Sequence, residues 1–574
     1  MTTSSELTLT FTGRWALVRT DELTSSTAPH ITTRELDAGR ADPEEVRQHV
    51  ERVTKALESL VLEPVTTPGG ASWLYVHQVP VRRFVSQVVR KLLVLSAWSP
   101  FAAHPGPIAT MPGQALIGER DSSAQEYRSY TVTWPGIAYL LGAEGYPAPV
   151  GLIPSFTYAR GGGSISPRAE VVALSWSSRH AQTLLPVLAE VSRQGQRSLL
   201  LDLATDSTQR CPEPENPLIT VCRIPEPHLL ASGGLSGTSS EANSGFVMVG
   251  AHMVLLDRLV DLAARLLEHS AGSTQPSWQA IVNAEAWLDG ILATARPTTV
   301  LVGNDTSPLG ALAVHAADRI GARTVYVQHG AWVSGAVAWP VLHCRHTVVM
   351  GERDAALAAN WVRRADAEVH VLGQPRFDAL TMVDRPRQRR YLERLLIQED
   401  SRAPERIAVW ACQPFSRDRL RAQAETLLRG MRAVREEWGL VIAPHPAQDP
   451  RALDFLSERA EALRTAVTDA ETGARGCLAG ADAVVTVSST CGIEAMLLDV
   501  PVLELHLPGE RTLGLAEHQA AYACTDAVDV ATVLSHLAES AHQMPVSDRA
   551  KNAVCRWTGT TAAAVAELAL SPSS

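Results

Sequence analysis

Residues 171–203 have the sequence VVALSWSSRHAQTLLPVLAEVSRQGQRSLLLDL, and this stretch decides the fold. Its first part, Val171–Trp176, is a short apolar run that is typical of a buried strand. Apolar residues at helical spacing follow, and a turn that contains glycine leads into a second apolar run, Ser198–Leu203. Strand, helix and strand at this spacing predict a βαβ unit, and therefore a parallel sheet.

The same alternation continues to about residue 350 and starts again after residue 365. It predicts one doubly wound α/β domain over residues 169–355 and a second over residues 366–566. In the second domain, strands are expected at 369–372, 407–410, 440–443, 483–487 and 502–505, and helices at 418–437, 454–463 and 491–498. Because ligands of such domains bind beyond the carboxyl ends of strands, polar loops at those ends form the candidate site.

Residues 1–160 precede these domains as an accessory region of mixed α+β character. The stretch 158–168, YARGGGSISPR, is interpreted as a linker, because no clear strand leads into it as a phosphate-binding loop requires. Residues 73–95 are locally basic. We expect a solvated helix face there, with acceptor binding or peripheral membrane association as the alternative.

Composition restricts the classes of protein. The chain has 574 residues, enough for two or three domains, with 45% hydrophobic and 20% charged residues. A net charge of −10 argues against a nucleic-acid-binding protein. No secretory signal and no membrane-spanning apolar run is visible, and the eight scattered cysteines contain no CxxC pair. We therefore expect a cytoplasmic protein without a disulfide framework.

Three polar loops follow predicted strands of the first domain. The loop SSRH at 177–180 provides His180 as a candidate base, with a solvated helix start as the alternative. The loop GNDTSP at 303–308 can cap a helix, and its Asp305 can accept a hydroxyl proton. The loop QHG at 328–330 directs His329 to the floor of a cleft.

Two further loops belong to the second domain. In GQPRFD at 373–378, Gly373 allows the backbone to approach a phosphate or ribose, and Arg376 can pair with phosphate. The alternative for this loop is a turn in which Asp378 caps the next helix. In PHP at 444–446, two prolines fix the backbone around His445, which we expect to stabilise a leaving phosphate as a cation or hydrogen-bond donor.

A hydroxyl cluster follows the predicted strand 483–487. Ser488, Ser489 and Thr490 lie where the next helix begins, so backbone N–H groups, hydroxyls and the helix dipole can bind a phosphate. Glu494 lies about one turn into that helix and can reach ribose hydroxyls, or alternatively cap the helix.

In chain order, the motifs QHG (328–330), GQPRFDAL (373–380), PHP (444–446) and SSTCGIEAMLLDVPVLEL (488–505) resemble bacterial surface- and capsule-polysaccharide transferases of GT-B fold. The nearest groups are the CDP-glycerol glycerophosphotransferases and the Kdo and polysialic acid capsule transferases. The resemblance covers roughly residues 295–510. It implies two facing Rossmann-like domains and the transfer of a sugar from a CMP-, CDP- or UDP-linked donor to a hydroxyl acceptor.

The resemblance also implies that no metal or other cofactor is needed, and that His445, Ser488 and Ser489 contact the donor phosphate. The acidic base that such transferases carry near a glycine has no clean match here. Asp305, His180 and His329 therefore remain alternative bases.

The sequence also resembles the non-hydrolysing UDP-GlcNAc 2-epimerases, with Asn304-Asp305-Thr306 in place of their Gly-Asp-Thr. Three functions stay open. The expected one is a glycosyltransferase of polysaccharide, glycolipid or natural-product biosynthesis, whose acceptor is a glycan, a lipid-linked molecule or a small molecule. The others are an epimerase and a non-catalytic partner subunit that binds a nucleotide sugar. The sequence leaves the oligomeric state open.

Overall fold

The computed structural model of the chain describes residues 7–11, 15–19, 30–59, 65–98, 108–110, 115–120, 129–143, 146, 151–154, 156, 167–238, 245–270, 276–333, 341–397, 402–435, 437–445, 448, 453–455, 463–469, 471–508, 510–539 and 546–572. None of the helices in these ranges combines the length and the apolar character that a membrane span requires. All eight cysteines lie in these ranges as free thiols.

The N-terminal region contains both strands and helices, as expected. Four strands form one sheet in the order β3-β1-β2-β4, namely β1 (Leu7–Phe11), β2 (Trp15–Arg19), β3 (His30–Thr32) and β4 (Ile108–Thr110). A hairpin joins β5 (Ile117–Arg120) and β6 (Ser129–Val132), and β7 (Gly151–Pro154) follows. The helices are α1 (Thr33–Ala38), α2 (Pro43–Ser59), α3 (Trp73–Val76), α4 (Gln78–Ala97) and α5 (Trp134–Leu140).

Helix α4 packs one face into the core and keeps a solvated face, on which Arg83 and Arg90 are exposed. Twelve of its residues are buried, and eight of these belong to one hydrophobic cluster shared with the first α/β domain. Arg82 is 3% exposed and pairs with Glu51, and Lys91 pairs with Asp37 at 2.5 Å.

The first α/β domain contains seven parallel strands in the order β10-β9-β8-β14-β15-β16-β17. They are β8 (Val171–Ser175), β9 (Ser198–Asp202), β10 (Ile219–Arg223), β14 (Thr299–Val302), β15 (Arg323–Val327), β16 (His346–Val349) and β17 (Glu368–Val371). Three short strands lie outside this sheet. Strand β11 (Leu235–Thr238) pairs with β7, and β12 (Phe246–Val249) pairs with β13 (His252–Leu255). The helices are α6 (Ser178–Arg193), α7 (Glu226–Leu229), α8 (Leu256–Ser270), α9 (Trp278–Ala295), α10 (Pro308–Arg319) and α11 (Glu352–Trp361).

The second α/β domain contains six parallel strands in the order β20-β19-β18-β21-β22-β23. They are β18 (Arg406–Ala411), β19 (Trp438–Ala443), β20 (Thr465–Val467), β21 (Ala483–Thr486), β22 (Val502–Leu505) and β23 (Tyr522–Cys524). The helices are α12 (Arg385–Leu396), α13 (Arg417–Ala433), α14 (Thr490–Leu497), α15 (Ala527–Glu539), α16 (Asp548–Val554) and α17 (Thr561–Leu570), with 3₁₀ helices at Pro375–Met382, Leu478–Gly480 and Ala516–His518. Both sheets follow the doubly wound order of Rossmann domains, which confirms the predicted fold class.

The end of the first domain and the start of the second differ from the prediction. The strand expected at 369–372 as the first of the second domain is β17, which pairs with β16 as the edge of the first sheet. Because β17 hydrogen-bonds to β16, the first domain extends past residue 355. The predicted helix 454–463 and the linker 158–168 lie largely outside the described residues.

The last helix returns to the first domain. In α17, Val565, Ala566 and Ala569 are buried against residues of the first sheet and of α6. The Thr299 hydroxyl donates to the carbonyl of Ala569 at 2.6 Å. Asp378 accepts hydrogen bonds at 3.0 and 2.8 Å from the first two N–H groups of α17, so it caps this distant helix and not the next one.

Gly373 lies where the chain crosses from β17 into the second domain. Its φ is +101°, and a Cβ there would lie 2.1 Å from the carbonyl oxygen of Arg556. Close approach of backbone was the expected reason for this glycine. The atom that approaches is the Arg556 carbonyl oxygen, in the C-terminal segment of the chain itself.

We predict that Gly373→Ala lowers the free energy of unfolding more than Gly195→Ala. Gly195 has a similar φ of +76°, but no atom lies within 4 Å of an added Cβ. Both variants carry backbone strain of about 1–3 kcal/mol, and only the first also overlaps with backbone atoms. Urea unfolding of both variants measures the difference, and equal losses would contradict the assigned contact.

Candidate active site

The carboxyl ends of the central strands in the two sheets face one cleft. Helix α6 begins after β8, and helix α14 begins after β21. Polar contacts join the domains here. The Arg475 guanidinium donates to the Gln182 side-chain carbonyl at 3.0 Å, and the Ala331 N–H approaches the Thr490 hydroxyl at 3.5 Å. The loops selected from the sequence therefore lie in one place, at the position where doubly wound domains bind ligands.

Arg179 and His445 contact each other across the cleft. The guanidinium Nη2 of Arg179 lies 2.9 Å from Nε2 of His445. A guanidinium only donates, so this imidazole nitrogen accepts and the ring is neutral. Burial and the charge of Arg179 lower the pKa of His445 to about 4. The positive charge at this point thus comes from Arg179, and the expectation of a cationic His445 is corrected for this arrangement.

His180 and His329 pack against each other in the first domain. Their ring centroids are 4.5 Å apart in a T-shaped arrangement, and Gly303 allows the close approach of His180. His180 is 4% exposed, so it does not form the solvated helix start considered above, and its Nδ1 has no hydrogen-bond partner among the residues that the structure describes. Burial, His329 and Arg179 hold the pKa of His180 well below its usual range.

His329 has a defined tautomer. Its Nδ1 lies 2.6 Å from the carbonyl oxygen of Gly303, so Nδ1–H donates and Nε2 keeps the lone pair. Burial and the charges of Arg376 and Arg179 lower the pKa of His329 to about 4, against the raising effect of the Gly303 bond. As a whole residue His329 is half-buried, whereas His180 is buried. His329 is thus a neutral, oriented imidazole at the end of β15.

The side chain of Gln328 positions this loop. Its amide donates to the carboxylate of Asp354 at 2.8 Å and to the Gly330 carbonyl at 3.0 Å, and its carbonyl accepts from the Met350 N–H at 2.8 Å. Gln374 donates to the backbone carbonyl of Gln328 at 2.6 Å. Buried polar groups that are all paired in this way fix the backbone on both sides of His329.

Asp305 does not face the cleft. It is fully buried, and its Oδ2 accepts hydrogen bonds from the backbone N–H groups of His343 and Cys344 at 2.7 and 2.9 Å. Burial raises its pKa to about 6. A carboxylate so placed holds the loop before β16 and cannot reach an acceptor hydroxyl without breaking these bonds. Its expected role as a base is therefore corrected.

The hydroxyl cluster lies at the start of α14, as predicted. The Ser489 side chain accepts from the Cys491 N–H at 3.3 Å and caps the helix. The Ser488 hydroxyl and N–H both donate to the side-chain carbonyl of Gln413, at 2.8 and 3.0 Å. Gln413 follows β18, so the loops after both central strands of the second sheet meet here. These residues are half-buried, so the start of α14 is partly accessible to solvent.

Behind this helix start, Glu494 lies between two guanidiniums. Its carboxylate contacts Arg475 Nε at 3.0 and 3.1 Å and Arg376 Nη2 at 3.2 Å. Glu494 is 2% exposed, and burial lowers the pKa of Arg376 to about 10. The expected contacts of Arg376 with phosphate and of Glu494 with ribose are thus replaced here by a contact between the two side chains.

Among the described residues of the cleft, positive charge is in excess. Arg179, Arg376 and Arg475 interact with the same group of residues, and Glu494 is the carboxylate among them. The amino-terminal ends of α6 and α14 add partial positive charge. Two of the guanidiniums, those of Arg179 and Arg475, are exposed at the cleft surface. Such an arrangement binds an anion with several negative oxygens.

Sequence reasoning missed three residues of this cleft as site residues, namely Gln182, Gln413 and Arg475. Gln413 follows the first strand of the second domain, so the rule applied to His180 in the first domain selects it too. Arg475 lies in a turn outside any motif, and its pairing with Glu494 depends on tertiary contact. Nothing in the local sequence indicates it.

No protein-family model and no curated protein matches the chain. Among solved structures, the chain is similar to the UDP-GlcNAc 2-epimerase from Methanocaldococcus jannaschii, at 10% identity, over 69% of this chain and 98% of that chain, with a TM-score of 0.44. It is similar to MurG from Acinetobacter baumannii at 12% identity, over 69% and 98%, with a TM-score of 0.37. A glycosyltransferase from Rickettsia africae has 9% identity, over 71% and 95%, with a TM-score of 0.39. Likenesses this weak do not decide an activity, and the strand order of the two sheets is what assigns the fold.

We predict that acid destabilises the protein between about pH 6.5 and pH 4. Burial lowers the pKa of five histidines to about 4, namely His77, His252, His329, His343 and His445. In this range the unfolded chain binds more protons at these sites than the folded chain, so stability falls as pH falls, by about 2 kcal/mol per histidine. Asp305 acts in the opposite direction, because its folded pKa is raised.

Urea unfolding at pH 7 and pH 5 measures this loss. The double variant His329→Asn/His445→Asn removes two of the five groups and is expected to lose less stability between the two pH values. The exposed His536 provides the control, since His536→Asn is expected to keep the wild-type difference. Equal pH dependence in all three proteins would contradict the buried, neutral state of the cleft histidines.

Proposed function

We propose that the chain transfers a sugar or sugar-like group from a nucleotide-activated donor to a hydroxyl acceptor. The observation that carries the proposal is the excess of guanidinium charge beside the start of α14, at the carboxyl edges of two facing doubly wound sheets. A nucleoside mono- or diphosphate is an anion that matches such a position. The donor phosphate lies between α6 and α14 in this proposal.

The present partners of the two exposed guanidiniums support this position. Arg179 donates to a neutral imidazole, and Arg475 donates on one side to the neutral amide of Gln182. Hydrogen bonds to phosphate oxygens are charge-assisted and stronger than bonds to neutral acceptors. The donor phosphate therefore replaces these neutral partners. Ser488, Ser489, Thr490 and the first N–H groups of α14 complete its binding, and His445, released from Arg179, donates to it.

For the base, we propose His329. The Nδ1–H bond to Gly303 directs the lone pair of Nε2 away from that carbonyl. Nε2 takes the proton of the acceptor hydroxyl while the acceptor oxygen forms a bond to the anomeric carbon. The bond between that carbon and the phosphate oxygen breaks, and its electron pair goes to the phosphate, where the guanidiniums and α14 stabilise it. This transfer uses no metal ion.

The decisive assay measures nucleotide release and sugar transfer by the full chain. Thermal shift with CMP-, CDP- and UDP-linked sugars selects the donor, because a ligand that binds the folded state raises the melting temperature. The selected donor is then incubated with and without hydroxyl acceptors. Transfer requires release that depends on an acceptor. A new sugar nucleotide formed from donor alone would instead identify an epimerase, and binding without any turnover would identify a partner subunit.

We predict that Arg179→Gln and Arg475→Gln each weaken donor binding about tenfold, which corresponds to about 1.4 kcal/mol. Each substitution removes one charge that faces the leaving phosphate. Arg429→Gln is the matched control, because Arg429 is exposed on α13. Calorimetric titration with the donor gives the affinities. Unchanged affinity in both cleft variants, with normal folding, would place the phosphate elsewhere.

We predict that His329→Asn lowers turnover about 10²- to 10⁴-fold while leaving donor affinity close to that of the wild type. Asparagine keeps a donor for the Gly303 carbonyl but cannot take the proton. His180→Phe tests the rival base, since phenylalanine preserves the aromatic contact with His329. Steady-state kinetics of both variants decide the assignment, and the opposite pattern of losses would transfer the role to His180.

A further inference from the structure

A second cluster of polar side chains lies in the first sheet, on the side opposite to the carboxyl ends of its strands. His346 is the first residue of β16, Glu368 is the first residue of β17, and these two residues are direct partners in the parallel register. His370 is two residues beyond Glu368, so its side chain lies on the same face of the edge strand. The amino-terminal ends of the two strands therefore bring three metal-binding side chains together, away from the cleft at the carboxyl ends.

The distances within this group are those of a metal site. His346 Nδ1 and His370 Nε2 are 3.1 Å apart, and Glu368 Oε2 lies 3.7 Å from each of them. Zinc bonds of 2.0–2.2 Å in a tetrahedral arrangement separate neighbouring ligand atoms by about 3.3 Å. The 3.1 Å contact is a hydrogen bond between the two imidazoles, so an ion would replace its proton, with the rings turned toward the ion and the Glu368 carboxylate moved closer. Among the described residues, no other set of three such side chains has its ligand atoms so close together.

The three side chains differ in their exposure to solvent. The side chain of His346 is 8% exposed, that of His370 is 24% exposed and that of Glu368 is 55% exposed. A buried ligand thus forms the base of the site, and the edge strand leaves it open to solvent. Three protein ligands leave a fourth position for water, as in zinc sites that are not closed.

We propose that His346, Glu368 and His370 bind one divalent transition-metal ion of the Zn²⁺ type and fasten the edge strand β17 to β16. Imidazole nitrogen suits Zn²⁺, Co²⁺ and Ni²⁺, whereas Mg²⁺ and Ca²⁺ require oxygen ligands. Arg323 and Arg345 act on His346 with like charge, and Glu368 offsets them. Because β17 leads directly into the crossover at Gly373, the ion stabilises the connection between the two domains. The proposal is independent of the cleft chemistry.

The test uses the full chain without a polyhistidine tag, treated with a chelator and then titrated with Zn²⁺. Calorimetry is expected to show one ion per chain, and the melting temperature is expected to rise. Co²⁺ provides the spectroscopic probe, since a tetrahedral site gives visible absorption bands that Zn²⁺ abolishes. Mg²⁺ is expected to cause neither change.

The variants are at the two less buried ligands, so that folding is preserved. His370→Ala and Glu368→Gln are expected to weaken Zn²⁺ binding at least tenfold and to remove the Co²⁺ bands, while the control His536→Ala keeps both. Absence of Zn²⁺ binding in the wild type would overturn the proposal. Retained binding in His370→Ala, or loss of binding in His536→Ala, would overturn it as well.

Discussion

The carboxylate of Glu494 accepts hydrogen bonds from two guanidiniums, those of Arg376 and Arg475, at distances of 3.0 to 3.2 Å. The guanidinium of Arg376 is almost fully removed from water, and a buried charge persists only when it is paired. One carboxylate balances one of the two charges, so the second is available to a ligand. This imbalance beside the start of α14 makes the cleft attractive to phosphate, and the cross-domain contact of Arg475 with Gln182 depends on the same side chain.

The neutral histidines follow from the same charge distribution. Burial and nearby guanidiniums oppose protonation of His180, His329 and His445, so the imidazoles contribute lone pairs while the arginines contribute charge. A bound anion would favour protonation of the imidazoles, against the effects of burial and of the guanidiniums. In our proposal the donor therefore also prepares the imidazoles, because its negative charge raises their pKa toward the range in which they exchange protons.

The sheet topology could be predicted largely from the sequence, because buried parallel strands such as β8, β14 and β21 are short apolar runs between helical patterns. The strands that escaped prediction are short and carry polar residues, for example β16 with the sequence HTVV and β23 with the sequence YAC. The hydrophobic pattern alone could not assign β17 to the first sheet, since the sheet that an edge strand joins depends on tertiary contacts.

The site was predicted as a set of strand-end loops, but the direction of individual side chains was not. Asp305 has the residue type and position of a base, yet backbone N–H groups of a later segment use its carboxylate. Gly373 was correctly expected to permit a close approach, and only the structure identifies Arg556 as the neighbour. Arg475 shows the limit of sequence reasoning, because its partner lies 19 residues away on another element.

The position of the phosphate tests the account most directly. A crystal structure of the chain soaked with the nucleoside diphosphate of its preferred donor would locate it. We predict that the terminal phosphate contacts the first N–H groups of α14 and the guanidinium of Arg475. A nucleotide bound outside the cleft, or with its phosphates turned away from α14, would contradict the central claim.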